Sequence, residues 1–195
     1  MKKLICILFI LLSLCAPTLA STGYVYLYGG IMVGSMLELK CDIDQLPIDL
    51  DKLVVIIISP GGEVYESLAI FDYLNTLKKQ GITVYTAASG ICASGALVVL
   101  QAGDVRYAHE SATLMTHSVM TGYPSGVYLT EEEQQTNLAE NRRLTQLLID
   151  LFSRRMSKNP AMLGIYFVSK PNMMGAQTAL QLGFIDAIIY DPTTR

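Results

Sequence analysis

Charge is scarce in this sequence. Of its 195 residues, 16% are Asp, Glu, Lys or Arg, and the formal net charge is −3. No stretch concentrates Lys and Arg, so the electrostatic footprint of a nucleic-acid binder is missing and no such partner is expected. The basic pairs Lys78-Lys79 and Arg154-Arg155 fall within helical patterns and read as solvated faces. Histidine is rarer still, with only His109 and His117. Cysteine is limited to four residues, two of them (Cys6 and Cys15) in an N-terminal apolar stretch. No Cys/His cluster has metal-ligand spacing, so no metal and no other cofactor is expected. Repeats, low-complexity runs and long linkers are also absent, which leaves one domain with a sizeable core.

What is present begins with an export signature. Lys2 and Lys3 precede an apolar run from Leu4 to Cys15, too short to span a bilayer comfortably and of the right length for a signal peptide. Thr18-Leu19-Ala20 approximates a small-x-Ala cleavage site. Residues 1–20 are therefore read as a signal peptide and 21–195 as the domain, periplasmic or secreted. The rivals are a lipoprotein signal at Cys15, against which Leu14 speaks, and an uncleaved anchor. In an exported chain Cys41 and Cys92 could pair; the plainer reading is two free thiols acting as small hydrophobes.

Strand-like and helix-like segments then alternate. Tyr24–Tyr28 is aromatic and β-branched and stops at Gly29-Gly30. Val33–Lys40 is a candidate helix. Leu53–Ile58 is a continuous apolar run, suited to a strand buried on both faces. Val64, Leu68, Phe71, Leu74 and Leu77 recur at helical spacing up to Gly81. Ile82–Ala87 reads as a strand, Ser94–Gln101 as a short helix after a Gly/Ala/Ser-rich turn, and Thr113–Thr116 as a strand leading into His117. Thr130 and Glu133 form a capping-box pair that starts a long helix, broken at Asn159-Pro160. Gly175–Leu182 is a final helix closed by Gly183, before a strand over Ile185–Tyr190. The β-α-β-α order favours a largely parallel α/β sheet.

The chemistry-bearing candidates follow from this layout. A neutral imidazole is the usual base for activating a serine. His109 reads as a solvated loop residue, whereas His117 ends an apolar strand before a Gly/Pro loop, where functional groups cluster. Ser89 and Ser94 lie in a run of small residues that lets backbone approach a substrate. Ser94 also opens a helix, whose unpaired N–H groups favour a developing oxyanion, although a serine there is more often only a cap. Ser59-Pro60-Gly61-Gly62 is a glycine-rich turn that either binds a peptide carbonyl or is an ordinary turn.

Together these stretches resemble the Clp protease proteolytic subunit, the serine peptidase branch of the ClpP/crotonase-like fold. Ile58-Ser59-Pro60-Gly61-Gly62 is similar to that family's Asn-Ser-Pro-Gly-Gly, and Gly90-Ile91-Cys92-Ala93-Ser94 to its Gly-x-Ala-Ala-Ser. Leu114-Met115-Thr116-His117 is similar to Met-Ile-His-Gln-Pro, and Leu182-Gly183-Phe184-Ile185-Asp186 to Tyr-Gly-Leu-Ile-Asp. The four occur in family order between about Tyr24 and Tyr190. The resemblance implies a spiral of β-α units, Ser94 as nucleophile and His117 as base. It further implies an oxyanion hole from the backbone N–H groups of Gly61 and Gly95, and substrate pairing at Gly62 and Glu63. The substrate would be a peptide or unfolded chain.

The sequence departs from the family at three places. Ungapped alignment puts Pro171 where the triad Asp belongs, with Lys170 and Asn172 beside it; Asn172 is the candidate replacement that orients His117. The segment expected to remain after signal cleavage starts almost at the first strand, without room for the family's axial loop and first helix. Export also places the protein where ATP is generally lacking, so an unfoldase ATPase partner is not expected. The long helix from Thr130 matches a family element that interlocks rings. Its stripe of Leu144, Leu148, Leu151 and Phe152 serves either a homo-oligomer or the chain's own sheet. A catalytically weak or inactive relative acting in assembly or peptide binding, and acyl-CoA chemistry on the same fold, are the alternatives to peptidase activity.

Overall fold

The computed structural model describes residues 21–123 and 125–190. The signal-like segment 1–20 lies outside the described residues. Among those residues seven strands form one sheet. Strands β1 (Ser21–Ile31), β2 (Leu50–Gly62), β3 (Thr83–Ala93), β4 (Val105–His109) and β7 (Ala187–Ile189) lie in the order β1-β2-β3-β4-β7, each parallel to its neighbour. β5 (Thr113–Thr116) runs parallel to β3, and β6 (Asn172–Gly175) runs antiparallel to β5. The helices are α1 (Ser35–Asp44), α2 (Val64–Lys79), α3 (Gly95–Leu100), α4 (Glu131–Met156), α5 (Pro160–Leu163) and α6 (Ala176–Leu182). The architecture is the expected mixed α/β fold with a mostly parallel sheet.

Period-2 alternation explains how the first strands sit. Val25, Leu27, Leu53, Val55, Ile57 and Val84 are buried under helices, whereas Tyr24, Tyr26 and Tyr28 are exposed on the opposite face. β2 is thus not enclosed on both faces: Val54, Ile56 and Ile58 are only half-buried. Its apolar run reflects β-branched propensity as well as burial.

β3 extends beyond the expected end at Ala87 because it changes partner. Tyr85–Ala88 pair with β4, and Ile91–Ala93 then pair with β5. Gly90, between the two ladders, has φ +64. His109 closes β4 in register with Ile189 rather than lying in a loop. The α4 capping box is present, with Glu133 N–H donating to Thr130 Oγ1 and Thr130 N–H to the Glu133 carboxylate. Leu144, Leu148, Leu151 and Phe152 are buried in the chain's own core, while Leu138 nearer the start of α4 is exposed. Cys41 is exposed and Cys92 buried, both as free thiols.

One polar network closes the sheet's far edge. Arg106, nearly fully buried, donates to both carboxylate oxygens of Asp186 and to Gln101 Oε1. The Arg106 backbone N–H also donates to Asp186, at 2.8 Å. Burial alone would raise the Asp186 carboxyl, but the Arg106 hydrogen bonds outweigh it and hold the group below its ordinary value. A depressed folded-state value means stabilisation that is present above the unfolded value and lost as pH falls through the folded one. Asp186→Asn is expected to cost about 2 kcal/mol at pH 7, less than for a fully buried pair because Asp186 is partly solvated. Urea unfolding at a series of pH values should show the gap to the parent shrinking below about pH 4, as the parent's own carboxylate protonates. A gap that stays constant down to about pH 3 would contradict this.

Candidate active site

The partner change of β3 places the serine and the histidine together. Ala93 is in register with Met115 of β5, and the Ser94 N–H continues the ladder by donating to the Met115 carbonyl at 2.8 Å. His117 lies two residues further along the same strand direction. The result is a hydrogen bond of 2.8 Å between Ser94 Oγ and His117 Nε2. Ser94 sits between strand and helix with φ 55 and ψ −124, a conformation unusual for a side-chain-bearing residue. Holding it there costs on the order of 1–3 kcal/mol, which the surrounding ladder and helix must over-determine. Both side chains are partly accessible and line one pocket.

The other ring nitrogen of His117 faces a backbone oxygen: Nδ1 lies 2.5 Å from the carbonyl of Ser118. Asn172 is drawn elsewhere. It pairs with Thr116 across the β5–β6 ladder, and its Nδ2 donates to the Tyr166 carbonyl at 3.1 Å. The orienting contact on His117 is therefore neutral main chain, which no side-chain pattern in a sequence announces.

The glycines divide by role. Gly61 packs behind Ser94: an added Cβ would lie 2.4 Å from the Ala93 carbonyl oxygen and 2.7 Å from the Gly95 nitrogen. Its N–H already donates to the buried Ser59 hydroxyl at 3.0 Å. Gly62 and Gly95, by contrast, line the pocket. Glu63 N–H goes to the Ile31 carbonyl of β1, and Gly61 and Gly62 before it both have positive φ, 87 and 154. Gly95 is the first residue of α3, and its N–H has no acceptor within that helix. The Gly61 N–H expected as a donor is thus already bonded, and Gly62 rather than Gly61 lines the pocket. Glu63 also lines the pocket, and its carbonyl accepts from the Ser67 N–H and hydroxyl.

The pocket floor is apolar, built from Leu97, Val98, Leu144, Leu148, Phe152 and Phe167. Its rim carries Tyr65 and Glu140. Arg143 donates twice to the Glu140 carboxylate, each at 2.7 Å, and the Tyr65 hydroxyl donates to the same group. Those bonds, Arg143 first and Tyr65 second, hold the Glu140 carboxyl down to about 2. The Glu140 carboxylate on the rim is thus paired with the Arg143 guanidinium beside it. Cys92, two residues from Ser94, is not a rival nucleophile, because complete burial pushes its thiol far up. Among the described residues no group of His, Cys, Asp and Glu is arranged to hold a metal.

Comparisons with known proteins bear on the family and the fold. A family model described as Clp protease matches residues 44–192. The ATP-dependent Clp protease proteolytic subunit 6, chloroplastic, of Arabidopsis thaliana is 27% identical over 143 residues, covering 72% of this chain and 50% of that protein. An ATP-dependent Clp protease proteolytic subunit of Dehalococcoides mccartyi is 28% identical over 150 residues, covering 75% of this chain and 71% of the relative. The match thus spans half the length of the chloroplast relative and more of the bacterial one. Among solved structures, a point mutant of ClpP1 from Listeria monocytogenes shares the fold with a TM-score of 0.72, at 18% identity over 87% of this chain and 92% of that one.

The tight packing behind the serine can be tested without any substrate. A Cβ on Gly95 would lie 2.2 Å from the hydroxyl oxygen of Ser67, which is fully buried and bonded to Glu63. Gly95→Ala is expected to lower the thermal midpoint by about 5 °C, the effect of overpacking by roughly 1–3 kcal/mol in a domain of this size. Adding Ser67→Ala should recover at least half of that loss in a double-mutant cycle followed by circular dichroism. Strict additivity of the two changes would argue against the contact.

Proposed function

The chain belongs to the Clp protease family, and on that premise we propose that it is a serine peptidase that cleaves peptides or unfolded chains through an acyl-enzyme. The observation that carries this reading is the 2.8 Å hydrogen bond between Ser94 Oγ and His117 Nε2 at the mouth of an apolar pocket. Ser94 Oγ attacks the peptide carbonyl carbon while its proton passes to Nε2. The carbonyl oxygen becomes an oxyanion that accepts from the N–H groups of Gly62 and Gly95, within the positive end of α3. Collapse breaks the C–N bond, and Nε2 returns the proton to the departing amine. Water then attacks the acyl-enzyme, giving its proton to Nε2; the C–Oγ ester bond breaks and Nε2 returns that proton to Ser94 Oγ. An apolar side chain of the substrate fills the pocket floor, and its backbone runs along Gly62 and Glu63.

Under this reading the protein is exported, which the Lys2-Lys3 pair and the apolar run after it support, and it works without an unfoldase ATPase. Self-association uses the exposed first half of α4, since the apolar residues of its second half are already buried in the chain's own core. A second reading, a relative that binds peptides without cleaving them, is favoured by one observation: His117 Nδ1 meets a neutral carbonyl, not a carboxylate.

Fluorophosphonate labelling separates the two. The folded parent is expected to label, Ser94→Ala and His117→Ala to lose the label, and Ser89→Ala to keep it. Labelling that persists in Ser94→Ala would sink the nucleophile assignment, and a folded parent that never labels would favour the non-catalytic reading.

A further inference from the structure

The peptide unit joining Ser118 to Val119 is held at both ends. Its carbonyl oxygen lies 2.5 Å from His117 Nδ1, and its N–H donates to Thr145 Oγ1 of α4 at 2.9 Å. The chain has no cis peptide among the described residues, and in a planar trans unit the C=O and N–H point in opposite directions. Whatever captures the Val119 N–H therefore sets where the Ser118 carbonyl aims. Thr145 is itself fixed, because its hydroxyl donates to the Asn141 carbonyl one turn earlier, at 2.7 Å. That leaves its oxygen lone pairs for Val119. Two further ties hold the same segment: Ser118 N–H donates to the Val168 carbonyl at 2.9 Å, and the Thr121 hydroxyl to Asn141 Oδ1 at 3.0 Å.

A carbonyl oxygen can only accept. Nδ1 of the neutral ring must therefore carry the proton, which leaves Nε2 free to accept from Ser94. The hydrogen bonds then run in one direction, from Ser94 O–H to Nε2, from Nδ1–H to the Ser118 oxygen, from Val119 N–H to Thr145 and from Thr145 O–H to Asn141. Bonds in such a chain polarise one another. When Nε2 takes the proton of Ser94, the positive ring faces a peptide dipole that Thr145 has strengthened from its far end.

We infer that Thr145 is a positioning residue for the reaction, acting on His117 through the Ser118–Val119 peptide and doing by main chain what an acidic side chain does elsewhere. The inference rests on the peptidase reading above. Its test compares Thr145→Val, which keeps the side chain's shape but removes the acceptor, with Thr145→Ser, which keeps the acceptor. The full chain is titrated with a fluorophosphonate, separating the maximal labelling rate from the half-saturating concentration, and folding is followed by circular dichroism. Thr145→Val should lower the maximal rate about tenfold, part of the roughly 10²–10⁴ that a well-placed base supplies, with half-saturation nearly unchanged. Thr145→Ser should stay within about twofold of the parent. If Thr145→Val does not fold, Thr145→Ala carries the same expectation. A Thr145→Val rate equal to the parent's, or a Thr145→Ser rate as low as that of Thr145→Val, overturns the positioning role while leaving the peptidase reading intact. A folded parent without labelling overturns both.

Discussion

A strand in a sheet normally keeps one neighbour on each side along its length. β3 gives up β4 after Ala88 and takes β5 from Ile91 onward, with Gly90 at φ +64 between the two ladders. The rest of the site depends on that exchange. It carries Ser94 past the end of β4 and ties its N–H to Met115, so the residue two places beyond Met115 has no choice but to stand beside the serine. It also delivers the chain to the first turn of α3 at the strained φ of Ser94, where main-chain donors converge. Without the second ladder, Ile91 to Ala93 would keep only the Cys92–Ser59 register with β2, and the Ser94–His117 distance would be unspecified.

The second determinant is the neutral environment of His117 Nδ1. Replacing a triad carboxylate by an amide costs roughly 10⁴ in the chymotrypsin case because the ring takes the wrong tautomer. A backbone carbonyl does not carry that defect, since it accepts from Nδ1–H as a carboxylate does. What it lacks is charge. Hydrogen bonds to ionised groups contribute about 1.5–3 kcal/mol against about 0.5–1.5 kcal/mol for neutral ones, so under the proposed mechanism an imidazolium at His117 is less well stabilised than beside a carboxylate. The geometry therefore describes a base of correct orientation and reduced strength. Thr145 fits this logic by fixing the carbonyl that does the orienting.

Much of this was legible in the residues. Thr130 with Glu133 started α4, Gly183 ended α6 with φ +85, and Ser94 and His117 stood in the right motifs and order. Other parts were not, for physical reasons. Small residues such as Ala88, Ser89 and Gly90 have weak strand preference, and only the neighbouring strands recruit them into β3. The short β4 exists because β3 and β7 flank it. The stretch Pro60-Gly61-Gly62 reads as a turn, yet it is the end of a parallel strand, with Gly61 N–H bonded to Ser59 and Gly62 lining the pocket. Asn172 was adjacent to the expected acid in sequence, but its ladder partner is Thr116, one residue short of the histidine. Thr145 left no local signal at all, being a threonine in a polar helix whose meaning lies in a contact 26 residues away.

Everything at the site converges on a Ser94–His117 pair oriented through the Ser118 carbonyl, and the ring's tautomer reports it directly. Long-range ¹H–¹⁵N spectra of ¹⁵N-histidine-labelled protein, recorded at a pH where the imidazole is neutral, distinguish the protonated ring nitrogen from the bare one. The expected result is His117 in the Nδ1-protonated form, with Nε2 as the acceptor of the Ser94 hydroxyl. A His117 ring protonated at Nε2, with Nδ1 bare, would contradict it, because such a ring can neither donate to the Ser118 carbonyl nor take the proton of Ser94.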